Sequence, residues 1–272
     1  MPPAEPTAAQ PATVAGEGAG RLAGTVALVT GASRGIGLAI AKAYAAEGAS
    51  LCLAATDQAK LEQVQEALAL PAGRTMVHRL DVSDAKACQA AVQAVQARFG
   101  RLDTLVNNAG IYLSRTFLQD QPQDFQRLLD VNLFGVIHLM QAALADMQAR
   151  GYGRIINIAS TAGKWGSRNQ SAYNVSKHAV VGLTRCVALE AANTGVTVNA
   201  ICPGFVQTDM VETLKQGYAA IGGPDGEAVV RVPMGRVLDP TEIAGLAVYL
   251  GSRESSGMTG QSILVDGGML MC

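Results

Sequence analysis

From Gly24 to Val265 short apolar runs alternate with longer segments of helical character, and this alternation restricts the fold more than any other feature. Residues 25–30 (TVALVT) are apolar throughout and end at Gly31, the pattern of a strand covered on both faces. Residues 35–48 read as a helix stopped by Gly48. Strands follow at 50–55, 75–80, 103–106, 154–159, 196–201 and 262–265. Helices are expected at 58–70, 84–99, 122–149, 171–192 and 240–250, the stretch 122–149 being read as one helix. Seven strands separated by connections long enough for crossovers specify an α/β fold built on a parallel sheet with helices on both sides.

The chain has 272 residues, a length that parallel α/β folds fill as one unit. Residues 22–272 are read as a single domain behind a leader of residues 1–21. That leader holds four of the ten prolines, no aromatic residue and three charges. It lacks the basic start and apolar run of a signal peptide, so disorder is expected there. Apolar residues make up 49% and charged residues 16%, against about 25% charged in an average globular protein. A net charge of -1 argues against a nucleic-acid surface. No run of about 18 apolar residues is evident, so no membrane span is expected. Cys52, Cys88, Cys186, Cys202 and Cys272 form no CxxC, and no ligand cluster with His78, His138 or His178. The reading is reduced thiols in a cytoplasmic protein without a metal site.

Two strings carry chemistry. Thr30-Gly31-Ala32-Ser33-Arg34-Gly35-Ile36-Gly37 joins the first strand to the first helix. Gly31 permits the tight turn, Gly35 lets backbone approach a pyrophosphate, and Gly37 lets the helix pack on the sheet. The helix N-terminus adds unpaired N–H groups and a positive dipole end. The spacing is Gly-x3-Gly-x-Gly, not the Gly-x-Gly-x2-Gly of the long-dehydrogenase fingerprint. In Tyr173-Asn174-Val175-Ser176-Lys177 a phenol and an ammonium stand at i and i+4, on one helical face. A nearby positive charge favours the phenolate, so Tyr173 is expected to titrate well below its usual value of about 10. Ser160 closes the fifth strand, where α/β sheets place ligands, and its hydroxyl can donate to a substrate oxygen.

These strings, with Asn107-Asn108-Ala109-Gly110, Asn132 and Pro203-Gly204, resemble the short-chain dehydrogenase/reductase family in order and spacing from Gly24 onward. The resemblance implies a single Rossmann-type, doubly wound domain with a seven-stranded parallel sheet, assembled as a homotetramer. It makes Tyr173 the general acid/base, with Lys177 lowering its pKa and bonding the nicotinamide ribose. Ser160 then holds the substrate oxygen, and Asn132 maintains a water in the proton relay. The cofactor is met by Gly31, Ser33, Arg34, Gly35, Ile36 and Gly37, and by Asp81 and Val82 at the adenine. Asn108, Ala109 and Gly110 follow, then Pro203, Gly204, Val206 and Thr208 near the carboxamide. The activity implied is hydride transfer between a ketone and a secondary alcohol.

The end of the second strand reads Ala54-Ala55-Thr56-Asp57, without an acid where the adenosine ribose is normally held. Thr56 and Arg34 are suited to a 2′-phosphate, so NADP(H) is favoured over NAD(H), although Asp57 could still turn toward the ribose. Tyr112, Trp165, Phe205, Val206, Met210 and Tyr218 are read as framing an apolar or aromatic ketone, with 204–232 as a mobile lid. Motif detail is closest to polyketide and 3-oxoacyl ketoreductases. An NAD-dependent secondary-alcohol dehydrogenase resembling 3-hydroxybutyrate dehydrogenases is the alternative, and a nucleotide-sensing protein without turnover is a more distant one. Helix 171–192 is apolar nearly all round, which suits packing on the sheet and on another subunit.

Overall fold

A computed structural model describes residues 20–212 and 232–271. Strand β1 (Val26–Thr30) is buried throughout and leads into α1 (Gly35–Ala46). Then come β2 (Ser50–Ala55), α2 (Gln58–Leu68), β3 (Thr75–Arg79), α3 (Ala85–Phe99) and β4 (Thr104–Asn107). The second half holds α4 (Pro122–Leu129), α5 (Gly135–Ala149), β5 (Gly153–Ile158), α6 (Ser171–Ala191) and β6 (Val196–Pro203). The last described elements are α7 (Pro240–Gly251) and β7 (Ser262–Val265). Asp57, Asp84 and Asp239 accept hydrogen bonds from first-turn backbone N–H groups of α2, α3 and α7, removing orphan donors that would otherwise fray those helices.

All seven strands pair in parallel in the order β3-β2-β1-β4-β5-β6-β7. Because successive side chains of a strand point to opposite faces, β1 splits between two cores. Val26 and Leu28 join one core with Val92, Leu139 and Val180 of α3, α5 and α6. Ala27 and Val29 join the other with Ile40, Leu61 and Ile243 of α1, α2 and α7. Strand order reverses between β1 and β4, and a ligand crevice belongs at the carboxyl end of that pair.

Two expectations change, and a third falls largely outside the described residues. The stretch 122–149 is not one helix: a π-helical turn, Asp130–Phe134, separates α4 from α5. Apolar periodicity hardly registers a single wider turn, which is why the sequence reads as continuous. The same span is also long and apolar enough by composition to cross a membrane, with a mean hydropathy of 1.5. Here it is a core element, whose Leu139, Met140 and Met147 are buried in the cluster with Val92 and Val95 of α3. The expected leader lies outside the described residues except Gly20 and Arg21, and these belong to the folded part. Arg21 donates its backbone N–H to Glu47 Oε2 at 2.7 Å and its guanidinium to Glu254 at 2.6 and 3.0 Å. Of the lid expected over 204–232, residues 213–231 lie outside the described residues, Tyr218 among them.

Candidate active site

The carboxyl ends of β1 and β4 are tied by Thr30. Its hydroxyl donates to Val106 O at 3.2 Å and accepts the backbone N–H groups of Asn108 and Ala109 at 2.9 and 3.0 Å. Asn108 answers from the other side, its Nδ2 donating to Thr30 O at 2.9 Å and Gly31 O at 3.3 Å. Nothing in the sequence beyond a strand-ending threonine signals this staple. Gly31 has φ +64° and lies so close to Asn108 that a Cβ would stand 2.7 Å from Nδ2. A Cβ on Gly37 would collide with the Gly31 carbonyl and with Asn108 Nδ2. Arg34 precedes α1 without a side-chain cap, and the first turn has no acidic residue. Its N–H groups therefore remain available to an anion. This bare helix start in a cradle that side chains would fill fits the pyrophosphate of a dinucleotide.

The cradle opens into a cleft of about 1760 Å³, ample for a dinucleotide and a small substrate. Gly31, Ser33, Arg34, Gly35, Ile36, Thr56, Asp81 and Val82 line one end. Asn108, Ala109, Gly110, Ser160, Tyr173, Lys177, Pro203, Gly204, Val206 and Thr208 line the rest. Gly37 and Asn132 are not in the wall; both lie behind it. Asp81 accepts from Ser83 N and Ser83 Oγ at 3.0 and 2.7 Å, and these bonds hold its carboxyl below the usual range. Asp57 does not line the cleft. It accepts from Lys60 N at 3.1 Å and pairs with Lys60 Nζ at 3.6 Å.

Tyr173 and Lys177 share the buried face of α6, with Lys177 Nζ 5.8 Å from the phenol ring centroid. Lys177 Nζ donates to Ile158 O at 2.9 Å. Burial pulls this ammonium from 10.5 down to about 8. The same burial pushes the Tyr173 phenol up to about 12, while a hydrogen bond with Ser160 acts in the opposite direction. The lowering of Tyr173 expected from the Lys177 charge is thus absent in the chain by itself. Desolvation dominates, because both groups lie deep and the ammonium is directed at a carbonyl. Ser160 Oγ accepts from Ala162 N at 3.1 Å, which leaves its own hydrogen for donation.

Asn132 sits in the π turn and is 1% exposed. Its Oδ1 accepts from Ile111 N at 2.8 Å, and its Nδ2 donates to Ile111 O and Ser176 Oγ, both at 3.0 Å. Ser176 Oγ donates in turn to Tyr173 O at 2.8 Å. Both amide hydrogens of Asn132 are used within the chain, leaving one lone pair on Oδ1 for a water. That oxygen and Lys177 Nζ lie 3.2 and 3.7 Å from the point where a Cβ on Gly110 would stand. Ser176 was missed by the sequence reading, although its i+3 spacing from Tyr173 places it on the same face. Asn107 is part of the sheet interior, donating to Asn157 Oδ1 at 2.8 Å.

On the substrate side Tyr112 meets Tyr173 edge-on, with ring centroids 5.0 Å apart. Met210 Sδ lies 3.9 Å from the Tyr173 hydroxyl. Trp165, 43% exposed, does not line the cleft, and Phe205 packs instead with Tyr112, Val211 and Val237. Among the described residues no group of three His, Cys, Asp or Glu side chains could hold a metal ion.

Comparison with known proteins agrees with this fold. A family model described as enoyl-(acyl carrier protein) reductase matches residues 31–270. The protein described as a ketoacyl reductase of the monensin polyketide synthase, from Streptomyces virginiae, is 41% identical over 90% of this chain and 96% of its own length. The 3-oxoacyl-(acyl carrier protein) reductase of Vibrio cholerae is 37% identical over 92% of this chain and 99% of its length. A solved structure described as a gluconate dehydrogenase from Agrobacterium tumefaciens superposes with a TM-score of 0.85. It is 35% identical over 92% of this chain and 98% of that one.

Proposed function

The chain is an oxidoreductase of the short-chain dehydrogenase/reductase family, and on that premise we propose that it exchanges a hydride between NADP(H) and an apolar or acyl-type ketone, or the matching secondary alcohol. The observation that carries this reading is that the Tyr173 hydroxyl, Ser160 and Lys177 together line the wall of the cleft, with Lys177 Nζ beneath the phenol ring. A nicotinamide bound there supplies or accepts the hydride. Ser160 donates to the substrate oxygen, and Tyr173 delivers the proton to it in reduction and removes it in oxidation. Lys177 has two N–H donors beyond the one given to Ile158. Its charge favours the phenolate as Tyr173 loses its proton. Asn132 positions Ile111 against α6, and a water beside Gly110 returns a proton toward Lys177.

NADP(H) is favoured because the end of β2 offers Ala54, Ala55 and Thr56 to the cleft and no carboxylate of its own, and Asp57 is engaged at the start of α2. One observation supports the NAD-dependent reading: Arg34, the cation suited to a 2′-phosphate, is paired with Asp209 at 2.7 Å. Comparing kcat/KM for the two cofactors decides, and a clear preference for NAD(H) reverses this assignment. Tyr112, Met210 and Ile111 in the wall suit an apolar group beside the carbonyl. The relatives described as ketoacyl reductases support an acyl-type ketone.

Exposed Val175 and Leu189 on the outer side of α6 support a homotetramer. Cysteines not joined in disulfides at 52, 88, 186 and 202 support a cytoplasmic location.

Tyr173→Phe tests the mechanism. General acid–base catalysis is worth roughly 10²–10⁴-fold, so ketone reduction should fall by at least a hundredfold with cofactor affinity retained. Activity within tenfold of wild type removes Tyr173 from the chemistry.

A further inference from the structure

Strands β6 and β7 end side by side at the carboxyl edge of the sheet, with Pro203 opposite Val265. Gly204 follows the first and Asp266 the second, and the two are in contact. Gly204 N donates to Val265 O at 3.0 Å, and a Cβ on Gly204 would stand 2.8 Å from both Cα and Cβ of Asp266. Asp266 is buried, at 6% exposure. Its carboxylate folds the chain end back on itself: Oδ1 accepts from Gly268 N at 3.0 Å and Oδ2 from Leu270 N at 2.9 Å. Gly267 and Gly268 take φ of +66° and +87°, a left-handed pair that other side chains would oppose.

The turn so formed grips a second stretch of chain. Met234 N donates to Gly267 O at 3.1 Å. A Cβ on Gly267 would stand 3.3 Å from Val232 Cγ2, and one on Gly268 would stand 3.3 Å from Pro233 Cβ. Residues 232–234 lead on to Leu238, whose N–H donates to Phe205 O at 2.9 Å and whose carbonyl accepts from Gln207 N at 2.8 Å. The stretch 204–207 is thus held twice. The end of β7 holds it directly at Gly204, and Leu238 holds it again on either side of Val206. Gly204, Val206 and Gln207 line the cleft, whereas Asp266 does not.

Resting on the dinucleotide reading, which sets the nicotinamide against residues 203–208, we infer that Asp266 is a positioning residue: by folding the chain end onto Gly204 and Met234, its carboxylate fixes the wall that receives the nicotinamide. It stands outside the cleft and acts only through the backbone it holds. The adenosine half of the cofactor meets a different part of the cleft, where Gly31, Ser33, Thr56 and Asp81 follow β1, β2 and β3. Loss of the carboxylate therefore weakens one half of the ligand and spares the other.

The test pairs two measurements on the full-length protein and on Asp266→Asn and Asp266→Ala. Amide hydrogen exchange without cofactor reads the clamp itself. In Asp266→Ala exchange at Gly204, Gln207 and Met234 should rise by about tenfold while the amides of β1 stay protected. Calorimetric titration of NADPH and of its adenosine fragment, adenosine 2′,5′-bisphosphate, reads the consequence. A wall displaced by the loss of one hydrogen bond to the nicotinamide half costs roughly five- to tenfold in affinity. Asp266→Ala should weaken NADPH by that factor and leave the fragment unchanged. Asp266→Asn, which keeps one acceptor oxygen, should fall between Asp266→Ala and wild type. Equal losses for both ligands, or exchange that rises throughout the chain, reduce Asp266 to general stability and overturn the inference. Unchanged exchange at Gly204 and Met234 overturns it as well. If wild type prefers NADH, the same comparison is made with NADH and AMP. A wild type that binds neither dinucleotide overturns the reading of the cleft, and the role of Asp266 with it. Wild-type binding thus separates that failure from a failure of the clamp.

Discussion

Lys177, in the role proposed for it, would serve chemistry at the expense of stability. Only 5% of its surface is exposed, and it gives one hydrogen bond to Ile158. Its pKa falls from 10.5 to about 8, which corresponds to about 3 kcal/mol of burial cost at neutral pH, at ~1.4 kcal/mol per tenfold. Lys177→Met removes that cost and loses a hydrogen bond worth about 1 kcal/mol. The ligand-free variant should gain about 2 kcal/mol in urea unfolding at pH 7 while losing turnover. Below about pH 8 the lysine is charged in both folded and unfolded chains, so the difference is complete there. As pH rises toward 10.5 the folded lysine sheds its proton first and wild type gains stability. Unfolding curves at pH 7 and pH 10 should therefore converge, and a constant gap would show that the burial cost of Lys177 is misassigned. Tyr173 and Lys177 were legible as a pair from i, i+4 spacing. Their opposite shifts were not, because desolvation depends on what the rest of the fold stacks over them.

At the scale of elements, the Gly-rich turn was readable because glycine spacing reports backbone geometry directly. Gly31 and Gly35 take positive φ, at +64° and +55°. Gly37 is different: it is needed for closeness, since a Cβ there would meet the Gly31 carbonyl and Asn108 Nδ2. Gly37→Ala should push Asn108 off Thr30 and Gly31 and open the cradle. Calorimetric titration should show cofactor affinity at least tenfold weaker, with stability lower by about 1–3 kcal/mol from overpacking and the circular dichroism spectrum retained. Unchanged affinity would mean that Asn108 does not shape the cradle. The π turn that seats Asn132 was not legible. A sequence read by its apolar period runs straight through Asp130–Phe134, and only the packing of Asn132 against Ile111 and Ser176 singles out that turn.

For the molecule as a whole, the low charge content finds a partial explanation in the two cores. Helices of both layers bury one side on the sheet, and α6 carries apolar residues on its other side as well. Val175 is 49% exposed and Leu189 80%, and together with Gly182 and Cys186 they mark an uncharged stripe flanked on one side by His178 and Arg185. Light scattering at micromolar concentration should give the mass of four chains, and Val175→Glu with Leu189→Glu should lower it. A monomeric wild type would contradict the assembly.

Alternation of apolar runs determined the parallel sheet, its doubly covered faces and the position of the crevice, because these follow from periods of two and 3.6 residues and from the handedness of crossovers. Motif spacing likewise determined which residues reach the carboxyl edge, since a strand end and a helix face are local matters. Only the tertiary structure decided that Asp57 caps α2, that Trp165 stands outside the cleft, and that Asp209 and Met210 reach across it. Those outcomes depend on which side chains from distant parts of the chain arrive at the same place, and on how much water remains when they do.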